Sequence, residues 1–121
     1  MTIKQAIESV DAVKPNACTQ EQKLRWLNEL EGKVHEEVIK THEGWDGEEF
    51  VPYTEMEQTL LIPFPHDGVY TTYLTAQIDL VNGDIGRYNN SITVFQTAYS
   101  DFAAWYNRTH MPTQRGGWKV F

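Results

Sequence analysis

The chain has 121 residues, of which 40% are hydrophobic and 12% aromatic, and its formal net charge is −7. This length predicts a single domain, and the aromatic content excludes wholesale disorder. The acidic balance argues against a general nucleic-acid binder, which normally presents a basic face. No apolar run approaches the roughly 20 residues of a membrane helix, and residues 1–14 lack the apolar core of a signal peptide, so we expect a cytoplasmic protein.

Two amphipathic helices are predicted in the first part of the chain. Thr2 is suited to cap a short helix, which the Lys14-Pro15 pair ends, because a residue before proline avoids the helical region. Its apolar positions are Ile3, Ala6, Ile7, Val10 and Val13. A second helix begins at Thr19, the first residue of a Thr-x-x-Gln capping box, and Gly44 is a suitable stop. Its apolar stripe comprises Leu24, Leu27, Leu30, Val34 and Val38.

The segment 44–64 is predicted to be irregular, because Gly44, Gly47, Pro52 and Pro63 interrupt any regular element. Six acidic residues and no Lys or Arg lie between positions 43 and 62. The apolar triplet LLI at 60–62 is expected to anchor the end of this acidic loop on the core, and a short strand could form there.

A long antiparallel helical hairpin is predicted for the second part. A helix over 65–82, with Pro65 in its first turn, has two adjacent apolar stripes and should be central. The stripes are Val69, Tyr73, Ala76 and Leu80, and Tyr70, Leu74, Ile78 and Val81. The helix over 85–109 has a seam with alternating spacings of three and four: Ile85, Tyr88, Ile92, Phe95, Tyr99, Phe102 and Tyr106. The fold class is therefore mainly α, a four-helix arrangement with an irregular acidic loop between helices 2 and 3.

The domain organisation predicted is one helical domain over 1–112, followed by an extended C-terminal arm or a flexible tail over 113–121. Solvating tails seldom carry large apolar residues, and positions 108–121 hold three basic residues and no acid. The arm hypothesis places basic and aromatic residues of one subunit on the acidic loop of the next. The residues concerned are Arg115, Trp118, Lys119 and Phe121 on the arm, and Asp46, Glu48 and Glu49 on the loop. Head-to-tail contacts of this kind close into rings or continue as filaments.

No residue pattern predicts a metal or cofactor site. His35 and His42 are interpreted as surface histidines on helix 2, two turns or about 10 Å apart, too far for both rings to bind one ion. The segment 46–57 begins like a calcium loop but carries Val51 where the sharp turn requires glycine.

Catalysis is not expected either, and we predict that the chain is not an enzyme. Asp67 is interpreted as a helix cap with His66 exposed beside it, rather than as a catalytic dyad. Cys18 is the only cysteine and nothing near it suggests a lowered thiol pKa.

Eight short segments resemble small proteins encoded in prophages of Gram-positive bacteria. They are VDAVKPN at 10–16, WLNELEG at 26–32, LLIP at 60–63, PHD at 65–67, YLTAQID at 73–79, NGD at 82–84, YNNS at 88–91 and WYNR at 105–108. The similarity spans about residues 3–110 and rests on structural rather than chemical signatures. It implies a head–tail connector, also called an adaptor or head-completion protein, of a long-tailed phage.

Such connectors are helical and form rings beneath the portal, joining the head to the tail, and the family has no catalytic residues. The resemblance therefore implies that the partners are further copies of the chain and the portal and tail components, with no membrane and no sequence-specific nucleic acid. The location would be the host cytoplasm, and the virion if the prophage is active. The other hypothesis is a non-phage protein-binding adaptor or small regulator that acts through the aromatic helix 85–109.

Overall fold

The structure is a computed structural model that describes residues 1–112, and the predicted arm at 113–121 lies outside these residues. Four α-helices follow one another: α1 (Ile3–Asp11), α2 (Gln20–Val34), α3 (Gly68–Val81) and α4 (Ile85–Thr109). A π-helical turn, His35–Ile39, continues α2. The mainly-α prediction, with a packed pair of C-terminal helices, is confirmed. None of the helices in 1–112 combines the length and apolar character that crossing a membrane requires.

The predicted starts of α1 and α2 are confirmed by side-chain caps. The Thr2 hydroxyl accepts from the Gln5 amide at 3.1 Å, and the Gln5 side chain accepts from the Thr2 amide at 2.8 Å. Thr19 accepts from the Gln22 amide at 3.1 Å and begins α2. Each contact satisfies a backbone donor that the first helical turn leaves without a partner.

A single apolar core runs through the bundle, and α3 is its central helix because it contacts α1, α2 and α4. The acidic loop contributes Leu60 and Ile62, which are 4% and 0% exposed, so the predicted anchor is confirmed. No strand forms at 60–62 within the described chain, where β-pairing is confined to isolated bridges. The helical core residues are Ile3, Ala6, Ile7, Val10, Trp26, Leu27, Leu30, Val34, Val38, Val69, Tyr70, Leu74, Ile78, Phe95 and Phe102.

Four predicted core positions are wrong. Val13 is 80% exposed, because α1 ends at Asp11 and the chain has left the helical path. Leu80, Val81 and Ile85, which flank the turn between α3 and α4, are exposed, because no described element covers the tip of the hairpin.

The first turn of α3 also differs from the prediction. This helix begins at Gly68, and Pro65 precedes it after a cis peptide bond with Phe64. Asp67 holds the N-cap position without a side-chain capping hydrogen bond, and its carboxylate lies 3.8 Å from the Met1 amino group.

A buried carboxylate joins the hairpin to the segment that follows α1. Asp79 on α3 is 2% exposed and accepts hydrogen bonds of 2.5 Å from both the Lys14 ammonium and the Ser91 hydroxyl of α4. Burial alone would raise the pKa of Asp79, but these two hydrogen bonds outweigh it and hold the pKa below its ordinary value. The contact therefore links α3, α4 and the segment after α1 through one buried polar group.

Candidate functional site

A cavity of about 450 Å³ lies between the π-helical turn and the acidic loop. Its walls are mainly apolar and its rim is acidic. The apolar and aromatic lining comprises Ile39, Trp45, Phe50, Val51, Tyr53 and Leu61, and the acidic lining comprises Asp46, Glu48 and Glu49. We call it the acidic cavity. All three loop acids predicted to form a subunit contact therefore lie at one site, together with large apolar groups that the prediction did not include.

Asn28 positions the cavity wall by holding the backbone of the acidic loop. Its side-chain oxygen accepts from the Tyr53 amide at 2.8 Å, and its nitrogen donates to the Tyr53 carbonyl at 3.1 Å. These two bonds mimic the pairing of neighbouring strands, so a segment without regular structure is fixed against α2.

Glu31 completes the attachment from inside the core, although it is fully buried. Its carboxylate accepts from the Tyr53 hydroxyl at 2.6 Å, from the Leu61 amide at 2.8 Å and from the Tyr70 hydroxyl at 2.5 Å. The same Tyr70 hydroxyl accepts from the Ile62 amide at 2.8 Å, so this network ties α2 and α3 to both ends of the cavity wall.

Burial raises the pKa of Glu31, and the hydrogen bonds from Tyr53, Tyr70 and the Leu61 amide oppose the rise. Burial, followed by the neighbouring Glu31 carboxylate, raises the pKa of both tyrosines far above the ordinary value of 10.0. Both hydroxyls therefore remain donors at any physiological pH. The network is satisfied and structural, with every partner of the carboxylate accounted for.

The rim acids are not equivalent. The Lys40 ammonium bridges Glu49 at 3.1 Å and Glu36 at 3.3 Å and lies 5.3 Å from the Trp45 ring centroid. The Glu49 hydrogen bond raises the pKa of Lys40. Asp46 and Glu48 are exposed, and neither forms an ion pair with a residue of 1–112. Asp46 and Glu48 thus keep their charge available, whereas Glu49 is already paired.

Both histidines interpreted as surface residues are buried, which corrects that prediction. His35 is 6% exposed because Trp45 and Phe50 of the acidic loop cover it, each with a ring-centroid separation of 6.2 Å. His42 is 7% exposed, with one ring nitrogen 2.6 Å from the Val38 carbonyl oxygen. Helical periodicity alone could not predict either result, since the covering residues come from elsewhere in the chain.

The end of α4 is fastened beside the acidic cavity. The second ring nitrogen of His42 lies 2.5 Å from the Asn107 side-chain oxygen, and the Glu43 amide donates to the Met111 carbonyl at 2.8 Å. Pro112 forms an isolated bridge with His42. The described part of the chain therefore ends beside His42 and Glu43, which directly precede Gly44 of the cavity lining. The predicted arm residues Arg115, Trp118, Lys119 and Phe121 lie outside the described residues.

No side-chain hydrogen bond joins His66 to Asp67 among the residues that the structure describes. The His66 ring instead packs on Trp105, with the ring centroids 4.9 Å apart, so it is half-buried rather than exposed as predicted. Asp67 faces the Met1 amino group. This geometry gives the imidazole a packing role.

Sequence reasoning also missed two buried acids, Glu31 and Asp79. Glu31 lies four residues after Leu27 and three before Val34, and Asp79 follows Ile78 on α3, so both were visible as acids on buried helical faces. An acid at such a position indicates a satisfied polar network, because an unpaired buried charge is strongly unfavourable.

No protein-family model, curated protein or solved structure matches this chain.

Proposed function

We propose that this protein is a structural assembly protein, a phage or prophage head–tail connector whose subunits form a ring between the portal and the tail. The observation that carries the proposal is the acidic cavity, whose apolar walls and two rim acids without an ion pair in 1–112, Asp46 and Glu48, complement the basic and aromatic residues of 113–121. The resemblance to prophage-encoded connectors supplies the specific role.

In this proposal, the arm of one subunit docks in the acidic cavity of the next. Arg115 and Lys119 pair with Asp46 and Glu48, but exposed ion pairs contribute only about 0–1 kcal/mol each. Trp118 and Phe121 therefore supply most of the affinity by entering the apolar part of the cavity, as aromatic anchors do at other interfaces. Glu49 contributes less, because Lys40 already neutralises it.

The starting point of the arm makes such a contact possible. Residues 113–121 follow a backbone that is fastened at His42 and Glu43, and nine extended residues reach about 30 Å. We assign the arm to the neighbour's cavity rather than to its own, because a ring requires each subunit to contact the next one.

The net charge is consistent with a passage for DNA. Affinity for the phosphate backbone rises with the number of cations presented, and this chain carries 17 acidic against 10 basic residues. A ring of such subunits would let DNA slide without holding it. Tight, salt-sensitive binding of duplex DNA by the purified protein would contradict this part of the proposal.

The alternative, a non-phage adaptor acting through its aromatic helix, has weaker support from the packing of α4. Phe95 and Phe102 are buried, and Tyr99, Trp105 and Tyr106 pack against the core. The aromatic face of α4 is therefore occupied within the subunit, and a partner would meet mainly Val94, Thr97 and other small side chains.

A comparison of the full chain with a 1–112 truncation tests the assembly proposal. We expect the truncation to assemble less well, measured by sedimentation velocity alone and by electron microscopy with the portal protein. Replacing Trp118 and Phe121 with alanine should reproduce the defect, whereas Thr113→Ala, in the same segment, should not.

Charge reversal identifies the docking site. Asp46→Lys with Glu48→Lys should weaken assembly, and Arg115→Glu with Lys119→Glu on the partner should restore it in mixtures of the two variants. Equal assembly by the truncation, or an arm effect independent of protein concentration, would overturn docking between subunits. Portal, capsid and tail genes next to the encoding gene would separately support the phage role.

A further inference from the structure

One polar atom in the core lacks a hydrogen-bond partner. Nδ1 of His35 is inaccessible to solvent and has no hydrogen-bond partner among residues 1–112. The residue as a whole is only 6% exposed. An unsatisfied buried polar group is unfavourable, so its presence calls for an explanation. An imidazole nitrogen without a hydrogen-bond partner can serve as a metal ligand.

Two carboxylates lie beside this ring. A ring nitrogen of His35 and carboxylate oxygens of Glu36 and Glu49 all lie within 4.8 Å of one another. The Glu36 and Glu49 side chains are 63% and 64% exposed, so small rotations can bring their oxygens closer. His35 and Glu49 also line the acidic cavity, which leaves room for water to complete a coordination sphere.

The backbone at His35 is itself unusual. The π-helical turn begins at this residue, and the amide of Lys40 donates to the His35 carbonyl at 2.9 Å, five residues back. Isolated π-helical turns are less stable than α-helix and occur frequently at functional sites. His35 and Glu36, the first two residues of the turn, both lie near Glu49.

We propose that His35, Glu36 and Glu49 bind one divalent transition-metal ion of the Zn²⁺ class at the edge of the acidic cavity. One imidazole and two carboxylates suit Zn²⁺, Co²⁺ or Ni²⁺ better than Ca²⁺ or Mg²⁺, which prefer oxygen ligands alone. Three protein ligands leave a coordination position open toward the cavity.

Lys40 is the natural competitor for this site. Its ammonium bridges the carboxylates of Glu36 and Glu49, so a metal ion entering between them displaces it into solvent. The charge balance favours the exchange. A divalent ion neutralises both carboxylates, whereas the single Lys40 ammonium leaves one negative charge uncompensated. The metal site shares Glu49 and the acidic cavity with the proposed arm contact, but Asp46 and Glu48, the acids assigned to pair with the arm, take no part in it.

The test uses the full chain, stripped of metal, and titrates Zn²⁺ by calorimetry and Co²⁺ by visible absorption. We expect one bound ion per chain and a visible absorption spectrum of Co²⁺ that indicates a nitrogen ligand. Glu49→Gln and His35→Gln should each weaken binding by at least about tenfold. Glu48→Gln is the matched control, because it removes the same charge from the same loop outside the cluster. Lys40→Met should strengthen binding.

Several results would overturn the proposal. They are a lack of saturable binding, equal loss in Glu48→Gln and Glu49→Gln, or Mg²⁺ binding as tight as Zn²⁺ binding. Circular dichroism of each variant separates these results from misfolding. Glu49 is exposed, so Glu49→Gln keeps the test decisive even if replacement of the buried His35 disturbs the fold.

Discussion

The Tyr70 hydroxyl donates a 2.5 Å hydrogen bond to the Glu31 carboxylate in the interior of the bundle, 39 residues away along the chain. This contact links α3 to α2 where both meet the acidic loop. It makes the position of the cavity wall depend on one buried charge, so the stability of the fold and the shape of the candidate site are coupled.

Glu31→Gln should lower the free energy of unfolding by about 2–3 kcal/mol, because hydrogen bonds to a charged acceptor are the strong ones. The amide keeps the volume of the side chain but replaces one acceptor oxygen with a donor facing donors. Urea denaturation followed by circular dichroism measures the change. Glu29→Gln, on the exposed face of the same helix, should change stability by less than about 0.5 kcal/mol. Equal effects of the two substitutions would contradict the role assigned to Glu31.

Asp79 should make the fold sensitive to acid. Because hydrogen bonds from Lys14 and Ser91 outweigh burial and lower the pKa of Asp79, the folded state binds its proton less tightly than the unfolded state does. The stabilisation is therefore present above the ordinary value of 3.8 and is lost as the pH falls through the lower folded value.

The measurement for Asp79 is the difference in unfolding free energy between the native chain and Asp79→Asn at pH 7 and below pH 3.8. We expect the difference to be larger at pH 7. Asp101→Asn, an exposed position on α4, is the control and should show no such dependence. A difference that stays constant with pH would show that the Asp79 charge is irrelevant.

His42 should control the end of α4. Replacing it with alanine removes the contacts with Val38 and Asn107 and the edge-to-face packing on Tyr106, with ring centroids 5.0 Å apart. Amide hydrogen exchange in the last two turns of α4 should then become at least about tenfold faster, as expected for a loss of 1.4 kcal/mol or more in local stability.

Asn107→Ala should have a similar effect, and the double substitution should be less than additive, because both residues act through one contact. Arg108→Ala, on the neighbouring exposed position, is the control. Unchanged exchange in His42→Ala would mean that α4 is held by its aromatic packing alone.

The buried part of the α4 seam should dominate its contribution to stability. Phe102→Ala should destabilise the fold by about 3–5 kcal/mol, the usual result of removing a buried aromatic side chain. Val94→Ala, on the same helix but 56% exposed, should have an effect below about 0.5 kcal/mol. Thermal unfolding of both variants measures the two losses of stability. Comparable losses would contradict the assignment of Phe102 to the core-facing side of α4 and of Val94 to its exposed side.

Four helices, the caps of three of them and the antiparallel hairpin could be predicted from the sequence, because each depends on neighbours within a few residues. Thr2, Thr19 and Asp84 are capping residues at positions where apolar periodicity begins, and their side chains accept from amides three residues later. The cluster of acidic residues over 43–62 could also be read from the sequence, and three of these acids form the rim of the acidic cavity. The seam of α4 correctly indicated which side of that helix faces the core at Phe95 and Phe102.

Only the tertiary structure decided which polar groups are buried and which apolar groups are not. His35 is enclosed because Trp45 and Phe50 fold over it, and Leu80 and Val81 are exposed because the tip of the hairpin has no neighbour. Burial depends on contacts between segments distant in sequence, whereas periodicity reports only the direction in which a side chain leaves its own helix. For the same reason the Glu31 network, the apolar walls of the acidic cavity and the proximity of His35 to Glu49 emerge only once the chain is folded.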